Sequence, residues 1–105
     1  MDCIFCKIAN GEINSSKYYE DDIVMAFLDI NPDCDGHTLI IPKKHYKDLT
    51  DIDMDTLTHI MEVAKKLKLE LEDKLGCGGL SLLQNNGFCQ EVKHFHLHLK
   101  PFYKG

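Results

Sequence analysis

The chain has 105 residues, a formal net charge of −5 at pH 7 and 44% hydrophobic residues. This length fits one domain over residues 1–105, and the acidic balance argues against nucleic acid because no basic field would attract phosphate backbones. No stretch approaches the ~18 apolar residues of a membrane span, no secretory signal is visible, and the five cysteines are an odd number. We therefore expect a cytoplasmic protein without a membrane partner, whose cysteines are thiols or metal ligands.

The first half of the chain predicts a short helix and three strands. Residues 3–10 carry apolar side chains at helical spacing, and Gly11 follows as a stop. Three short runs of strand-forming residues are bounded by turn residues: residues 17–20, 23–30 and 37–41. The third run is ended by Pro42.

The second half predicts one long helix and two further strands. Thr50 with Asp53 resembles a capping box, and apolar residues from Leu57 to Leu75 then recur at three- and four-residue steps until Gly76. A fourth strand over residues 80–84 breaks at an Asn-Asn-Gly turn. With the histidine-rich strand that follows, the pattern favours an α+β fold in which a five-stranded antiparallel sheet carries the long helix on one face.

Histidine and a large apolar residue alternate strictly over residues 94–99, before Pro101. Alternation at period two predicts a half-buried strand with Phe95, Leu97 and Leu99 in the core and three imidazoles on the other face. The outer imidazoles would lie ~13 Å apart, too far to bind one metal ion, so the histidines must divide their roles. A neutral imidazole attacks phosphorus well if an acceptor fixes its other nitrogen.

Three further patterns have alternative interpretations. Cys3-Ile4-Phe5-Cys6 is compatible with buried thiols, a redox pair or half of a zinc site that two histidines complete, with His45 a better candidate than His59. Asp29 ends a strand, where it either binds ribose hydroxyls or initiates a turn. Asn85 likewise belongs to a turn or contacts a phosphate or ribose oxygen.

Five segments in chain order resemble the histidine-triad family over nearly the whole chain, closest to its bacterial-type nucleoside phosphoramidase branch. These segments are Cys3-Ile4-Phe5-Cys6-Lys7-Ile8, Ala26-Phe27-Leu28-Asp29-Ile30, Gly36-His37-Thr38-Leu39-Ile40-Ile41-Pro42-Lys43-Lys44-His45, Leu83-Gln84-Asn85-Asn86-Gly87 and His94-Phe95-His96-Leu97-His98-Leu99. The resemblance implies a five-stranded antiparallel sheet, usually paired across a homodimer into ten strands. It also implies hydrolysis or transfer of a purine nucleoside monophosphoryl group.

The same resemblance implies a role for each matching residue. His96 would attack the α-phosphorus to form a covalent nucleotidyl-histidine that water cleaves, while His98 hydrogen-bonds the phosphate and His37 orients the site. Asp29 would bind the ribose, and Asn85 and Gln90 would contact the ribose–phosphate and the leaving group. The purine would be enclosed by Ile4, Phe5, Ile8, Leu28 and Ile30. A structural Zn²⁺, carried by many bacterial relatives, would be held by Cys3, Cys6, His45 and His94.

The chain departs from the family pattern before the triad. Residues 88–91 are shorter than usual by about two residues, and Glu91 stands where the family has a hydroxyl residue. An ionised carboxylate cannot donate to a phosphate and repels it. We expect Glu91 either to turn away from the phosphate or to weaken or redirect the activity, and we expect the leaving-group preference to depend on the short segment after His98. The alternatives are a diadenosine-polyphosphate hydrolase, a nucleotide-binding protein with little catalysis and, least favoured, a metal-dependent hydrolase.

Overall fold

The computed structural model describes residues 3–103 and contains two α-helices and five strands. The helices are α1 (Ile4–Ala9) and α2 (Met54–Leu75), and the strands are β1 (Lys17–Glu20), β2 (Val24–Leu28), β3 (Thr38–Pro42), β4 (Gly79–Leu83) and β5 (Leu97–Phe102). All strand pairs are antiparallel in the order β1-β2-β3-β5-β4. The α+β class and the five-stranded antiparallel sheet are confirmed. No helix among the described residues is both long and apolar enough to cross a membrane.

The sheet separates two apolar clusters, one on each face. On one face, the α2 residues Ile60, Val63 and Leu67 pack against strand residues that include Leu97 and Leu99. On the other face, α1 packs against alternate strand residues, among them Met25, Phe27 and Leu39. Phe95, Leu97 and Leu99 all lie in the α2 cluster, as the alternation predicted. The opposite, α1-bearing face is therefore the one available to the histidines.

The fifth strand begins later than the sequence predicted and does not stop at its proline. The β3–β5 ladder ends at the pair Ile40–Leu97, and the Phe95 N–H donates instead to the Tyr46 carbonyl at 2.7 Å. Residues 94–96 therefore lie outside the ladder. Pro101 lies inside β5, where it pairs with β4. β3 pairs only with residues 97–99, so the side of Pro101 that would face β3 is unpaired and the missing N–H removes no bond to β3.

The long helix is capped by Asp53, and the expectation that Thr50 begins it was wrong. The Asp53 carboxylate accepts from the Thr56 N–H at 3.2 Å, and Asp53 also accepts from the Tyr46 hydroxyl at 3.2 Å. At the other end Gly76 adopts φ +62°, as a helix-terminating glycine does. The second bond of Asp53 links the start of α2 to the loop after β3, which also reaches Phe95.

Replacing Gly36 with alanine is expected to destabilise the protein by about 2 kcal/mol. Gly36 has φ +82°, and an added Cβ would overlap Cδ1 of Leu75. Gly11 is the matched control, since it has φ +80° but nothing within 4 Å of the added Cβ, so Gly11→Ala carries the backbone cost alone, about 1 kcal/mol. Urea unfolding of both variants measures the difference. Equal losses would contradict a tight contact between the loop before β3 and the end of α2.

Candidate active site and metal centre

A cleft opens on the α1 side of the sheet and has an apolar and a polar part. The apolar part encloses about 540 Å³ including its open mouth, and α1 and the sheet wall it with Ile4, Phe5, Ile8, Phe27, Ile30 and Leu39. The polar part adjoins it and contains His37, Asn85, Asp33 and Lys100. Five residues line both parts: Asp29, Asn31, Glu91, His96 and His98. An apolar chamber beside convergent polar groups is typical of a small-molecule site.

His96 is held in one tautomer at the junction of the two parts. Its Nδ1 lies 2.8 Å from the carbonyl oxygen of His94, and a carbonyl only accepts, so Nδ1 carries the proton. In the neutral ring, Nε2 then keeps its lone pair. The ring also contacts Phe5 edge-on at 5.0 Å between centroids and His98 at 4.8 Å, and only 4% of His96 is exposed. Packing and hydrogen bonding thus fix an unprotonated nitrogen beside the cleft.

A chain of hydrogen bonds fixes the tautomers of His37 and His98 as well. The Asp33 N–H donates to His37 Nδ1 at 3.1 Å, so His37 Nε2 must carry a proton, and it donates to His98 Nδ1 at 2.9 Å. His98 Nε2 then bears a proton. Within residues 3–103 this buried N–H has no hydrogen-bond partner. A buried donor needs an acceptor, and an oxygen of a phosphate bound in the cleft would supply one.

Burial keeps this chain of histidines neutral. Desolvation, followed by the charges of His96, His37 and Lys100, lowers the pKa of His98 to about 4. Burial also lowers the pKa of His37, although the Asp29 carboxylate opposes this shift. Both rings are therefore neutral at pH 7, as the donor and acceptor roles deduced from the geometry require.

The lowered His98 pKa predicts a specific loss of stability in acid. Between about pH 6.5 and 4 the unfolded chain protonates this position and the folded chain does not, so the free energy of unfolding falls as the pH falls. Allowing for partial solvent screening, His98→Asn should remove about 1–2 kcal/mol of the decrease measured between pH 8 and pH 5 by urea unfolding. For each variant, the decrease is measured from that variant's own free energy of unfolding at pH 8. An unchanged decrease would contradict the neutral state of His98.

Asp29, His37 and His98 also bring three ligand atoms within 4.8 Å of one another. A metal on His37 Nε2 would compete with the bond to His98, and Nδ1 already accepts from Asp33. Both nitrogens of His37 would then have to be unprotonated, which neutral imidazole does not allow. We therefore interpret this group as hydrogen-bonded positioning residues.

A second group, Cys3, Cys6, His45 and His94, has the chemistry of a metal centre. The ligand atoms lie within 4.8 Å of one another. His94 Nδ1 lies 3.3 Å from Cys3 Sγ and 3.5 Å from Cys6 Sγ, and His45 Nδ1 lies 3.3 Å from Cys6 Sγ. Tetrahedral zinc with ordinary Zn–S and Zn–N bonds separates sulfur from nitrogen by about 3.6 Å. The donor set and its spacing therefore fit Zn²⁺.

Hydrogen bonding and burial also determine the protonation of these ligands. His94 Nε2 lies 2.8 Å from the Pro42 carbonyl, so the proton sits there and the Nδ1 lone pair faces the two sulfurs. Burial lowers the pKa of His94 to about 4 and, together with the hydrogen bond and charge of Cys3, raises the pKa of Cys6 to about 11. Without a metal the site therefore holds a neutral imidazole and a protonated Cys6 thiol. A bound Zn²⁺ would displace the thiol proton.

The remaining predicted site residues occupy different positions. Asp29 both forms a turn, accepting from the Asn31 N–H at 3.1 Å, and lines the cleft. Leu28 lines a neighbouring surface depression with Ser15 and Pro32 instead of the cleft. The Gln90 carboxamide donates to the Lys47 carbonyl at 2.7 Å and accepts from the Gly87 N–H, so it braces the loop.

Sequence reasoning missed several residues that line the cleft: Phe27, Asn31, Asp33, Leu39, Val92 and Lys100. Phe27 could have been found, because it alternates with Asp29 and so shares a face with it. The role of the Asp33 backbone has no signal in the side-chain pattern.

Comparison with known proteins agrees with this geometry. The HIT domain family model matches residues 10–105. An uncharacterized HIT-like protein of Methanocaldococcus jannaschii is 49% identical over 105 residues, which cover 98% of this chain and 81% of that protein. An adenosine 5'-monophosphoramidase of Saccharomyces cerevisiae is 46% identical over 101 residues, covering 94% of this chain and 61% of the yeast protein.

Solved structures show the same fold. A HIT family protein from Bacillus anthracis has a TM-score of 0.95 at 46% identity, covering 98% of this chain and 74% of that chain. A zinc-bound histidine triad family protein from Mycobacterium smegmatis has a TM-score of 0.94 at 36% identity, covering 100% of this chain and 78% of that chain. These matches confirm the resemblance seen in the sequence, and the chain belongs to the HIT domain family.

Proposed function

We propose that this protein hydrolyses purine nucleoside phosphoramidates at the α-phosphorus. The observation that carries the proposal is the pair of fixed imidazoles, in which His96 offers an Nε2 lone pair and the neighbouring His98 offers a buried N–H without a partner among the described residues. A nucleophile beside a preorganised donor is the arrangement that phosphoryl transfer requires.

The reaction would take place as two successive displacements at phosphorus. In the first step, His96 Nε2 forms a bond to phosphorus while the phosphorus–nitrogen bond to the amine breaks, and the amine takes up a proton from solvent as it leaves. In the second step, the oxygen of a water molecule bonds to phosphorus, the Nε2–phosphorus bond breaks and the water's proton is released. His98 donates to a phosphoryl oxygen throughout, and its neutral state lets it do so without adding charge to the site.

The two parts of the cleft suit the two ends of a nucleotide. The apolar part, with Phe5 and Ile8, is chemically suited to a purine ring, and Asp29 at its border would accept from ribose hydroxyls. Asn85, in the polar part, is assigned to the ribose–phosphate. The yeast relative named as an adenosine 5'-monophosphoramidase supports both the hydrolase class and adenosine as a candidate base.

We further propose a structural zinc ion and a homodimer. Cys3, Cys6, His45 and His94 would hold the ion, which would supply rigidity and not chemistry because His96 and His98 are not among its ligands. The dimer would pair two copies through β4, an edge strand whose Leu82 and Leu83 are exposed. Sedimentation equilibrium tests the dimer, and a monomer at all concentrations would contradict it.

The function is tested by incubating the protein with adenosine 5'-phosphoramidate and following phosphorus by NMR. We expect conversion to AMP with release of ammonia. If calorimetry detects AMP binding but no product forms, the protein is a binding module and the proposal is wrong. Diadenosine tetraphosphate is assayed in parallel, and a higher kcat/KM for it would favour the diadenosine-polyphosphate hydrolase instead.

A further inference from the structure

Glu91 lies at the junction of the two parts of the cleft, and the mechanism above gives it no role. It lines both parts together with His96 and His98, the two residues assigned to the phosphate. Since the purine is proposed to occupy the apolar part and the phosphate to lie at His96 and His98, a carboxylate in the polar part is near the group attached to the far side of the phosphate. In a phosphoramidate that group is the leaving amine.

The backbone on both sides of Glu91 is anchored, so the fold fixes where the Glu91 side chain begins. Gln90 is 5% exposed, and its carboxamide bonds the backbone of Lys47 and Gly87. On the other side, Val92 packs against the α1 cluster and the Phe95 N–H bonds the Tyr46 carbonyl. The exposed Glu91 side chain thus projects from a segment held at both ends.

Within residues 3–103, no neighbouring cation neutralises Glu91. Lys93 directs its Nζ to the carbonyls of Gly87 and Gln90, and Lys100 directs its Nζ to an Asp33 oxygen at 2.6 Å. Among the described residues Glu91 has no ion-pair partner within 4.0 Å. The polar part of the cleft therefore contains three carboxylates, which are Asp29, Asp33 and Glu91, but only one lysine.

We propose that Glu91 selects the leaving group, favouring phosphoramidates whose amine carries a second, positively charged group and disfavouring anionic leaving groups. This inference rests on the proposed function. Because the cleft is open to water, the attraction between Glu91 and one ammonium is expected to change kcat/KM by about tenfold. The family's hydroxyl residue at this position would provide no such charge preference.

The test compares two adenosine 5'-phosphoramidates of similar size, an N-(2-aminoethyl) compound that carries an ammonium and a neutral N-propyl compound. In the wild type we expect kcat/KM to be about tenfold higher for the charged compound. Glu91→Gln should reduce this ratio to about one, and raising the salt concentration should reduce it in the wild type. Glu12→Gln, an exposed glutamate outside the cleft, should leave the ratio unchanged. Adenosine 5'-phosphosulfate, with an anionic leaving group, should react faster with Glu91→Gln than with the wild type.

Two results separate this inference from the proposed function. If the wild type hydrolyses both amides and Glu91→Gln has the same ratio, the role of Glu91 is refuted while the phosphoramidase activity stands. If the wild type hydrolyses neither, the proposed function is wrong, and calorimetry of the two intact compounds still decides the inference. A charged-to-neutral affinity ratio that Glu91→Gln does not change would then refute it.

Discussion

His96→Asn should lower kcat/KM for adenosine 5'-phosphoramidate by about 10⁴-fold or more while leaving AMP affinity within about threefold of the wild type. The variant removes the nitrogen that faces the phosphorus. The asparagine amide of the variant can still donate to the His94 carbonyl, which in the wild type accepts from His96 Nδ1 at 2.8 Å. Steady-state kinetics with calorimetry of AMP therefore separates loss of the nucleophile from loss of the pocket.

The same substitution at a histidine outside the cleft provides the control. His59 lies on α2, where it hydrogen-bonds Asp21 at 2.6 Å, and His59→Asn should retain full activity. Quenching the wild type during turnover in alkaline denaturant, which preserves a phosphorus–nitrogen bond, should reveal a mass increase of one adenylyl group, absent from His96→Asn. If His96→Asn turns over within tenfold of the wild type, another group attacks the phosphorus and the mechanism is wrong.

The sequence predicted the components of the site better than their connections. Alternation placed Phe95, Leu97 and Leu99 in the core because side-chain direction in extended chain depends only on residue parity. It could not predict that the strand begins at Leu97, because the ladder ends where the Pro42 carbonyl accepts from the His94 side chain. That bond joins residues 52 positions apart, and no local pattern encodes it.

The tautomers depend even more on tertiary structure. The proton positions on His37 and His98 are deduced from the Asp33 backbone N–H, which any residue at position 33 except proline would supply. Gln90 illustrates the opposite case, since its residue type suits a substrate contact but its carboxamide bonds the backbone of Lys47 and Gly87. Residue type limits what a side chain can bind, whereas the fold determines which partner it meets.

His94 connects the proposed metal centre to the proposed nucleophile, and this connection gives the second large expected effect. Its Nδ1 faces the cysteine sulfurs, while its carbonyl oxygen accepts from His96. Cys6→Ser should abolish binding of one zinc ion per chain and destabilise the protein by about 2–4 kcal/mol, a fall in Tm on the order of 10–20 °C. Elemental analysis and thermal unfolding of protein made in zinc-supplemented medium measure both quantities.

Cys89→Ser is the matched control, because Cys89 is an exposed thiol outside the proposed centre. It should retain the metal and the Tm of the wild type. If Cys6→Ser and Cys89→Ser bind the same amount of zinc and unfold at the same temperature, the four residues do not form a metal centre.

Loss of the metal should also change the kinetics in a way that simple unfolding does not. α1 has only six residues, too few to be stable alone, and Cys3 and Cys6 flank its pocket residues Ile4 and Phe5. Releasing this turn should raise KM, because the wall of the purine chamber loosens, and displacing the His94 carbonyl should lower kcat. At a temperature where Cys6→Ser remains folded, both parameters should therefore worsen, by about tenfold each. A variant that loses zinc but keeps both parameters would show that the centre stabilises the fold without positioning His96.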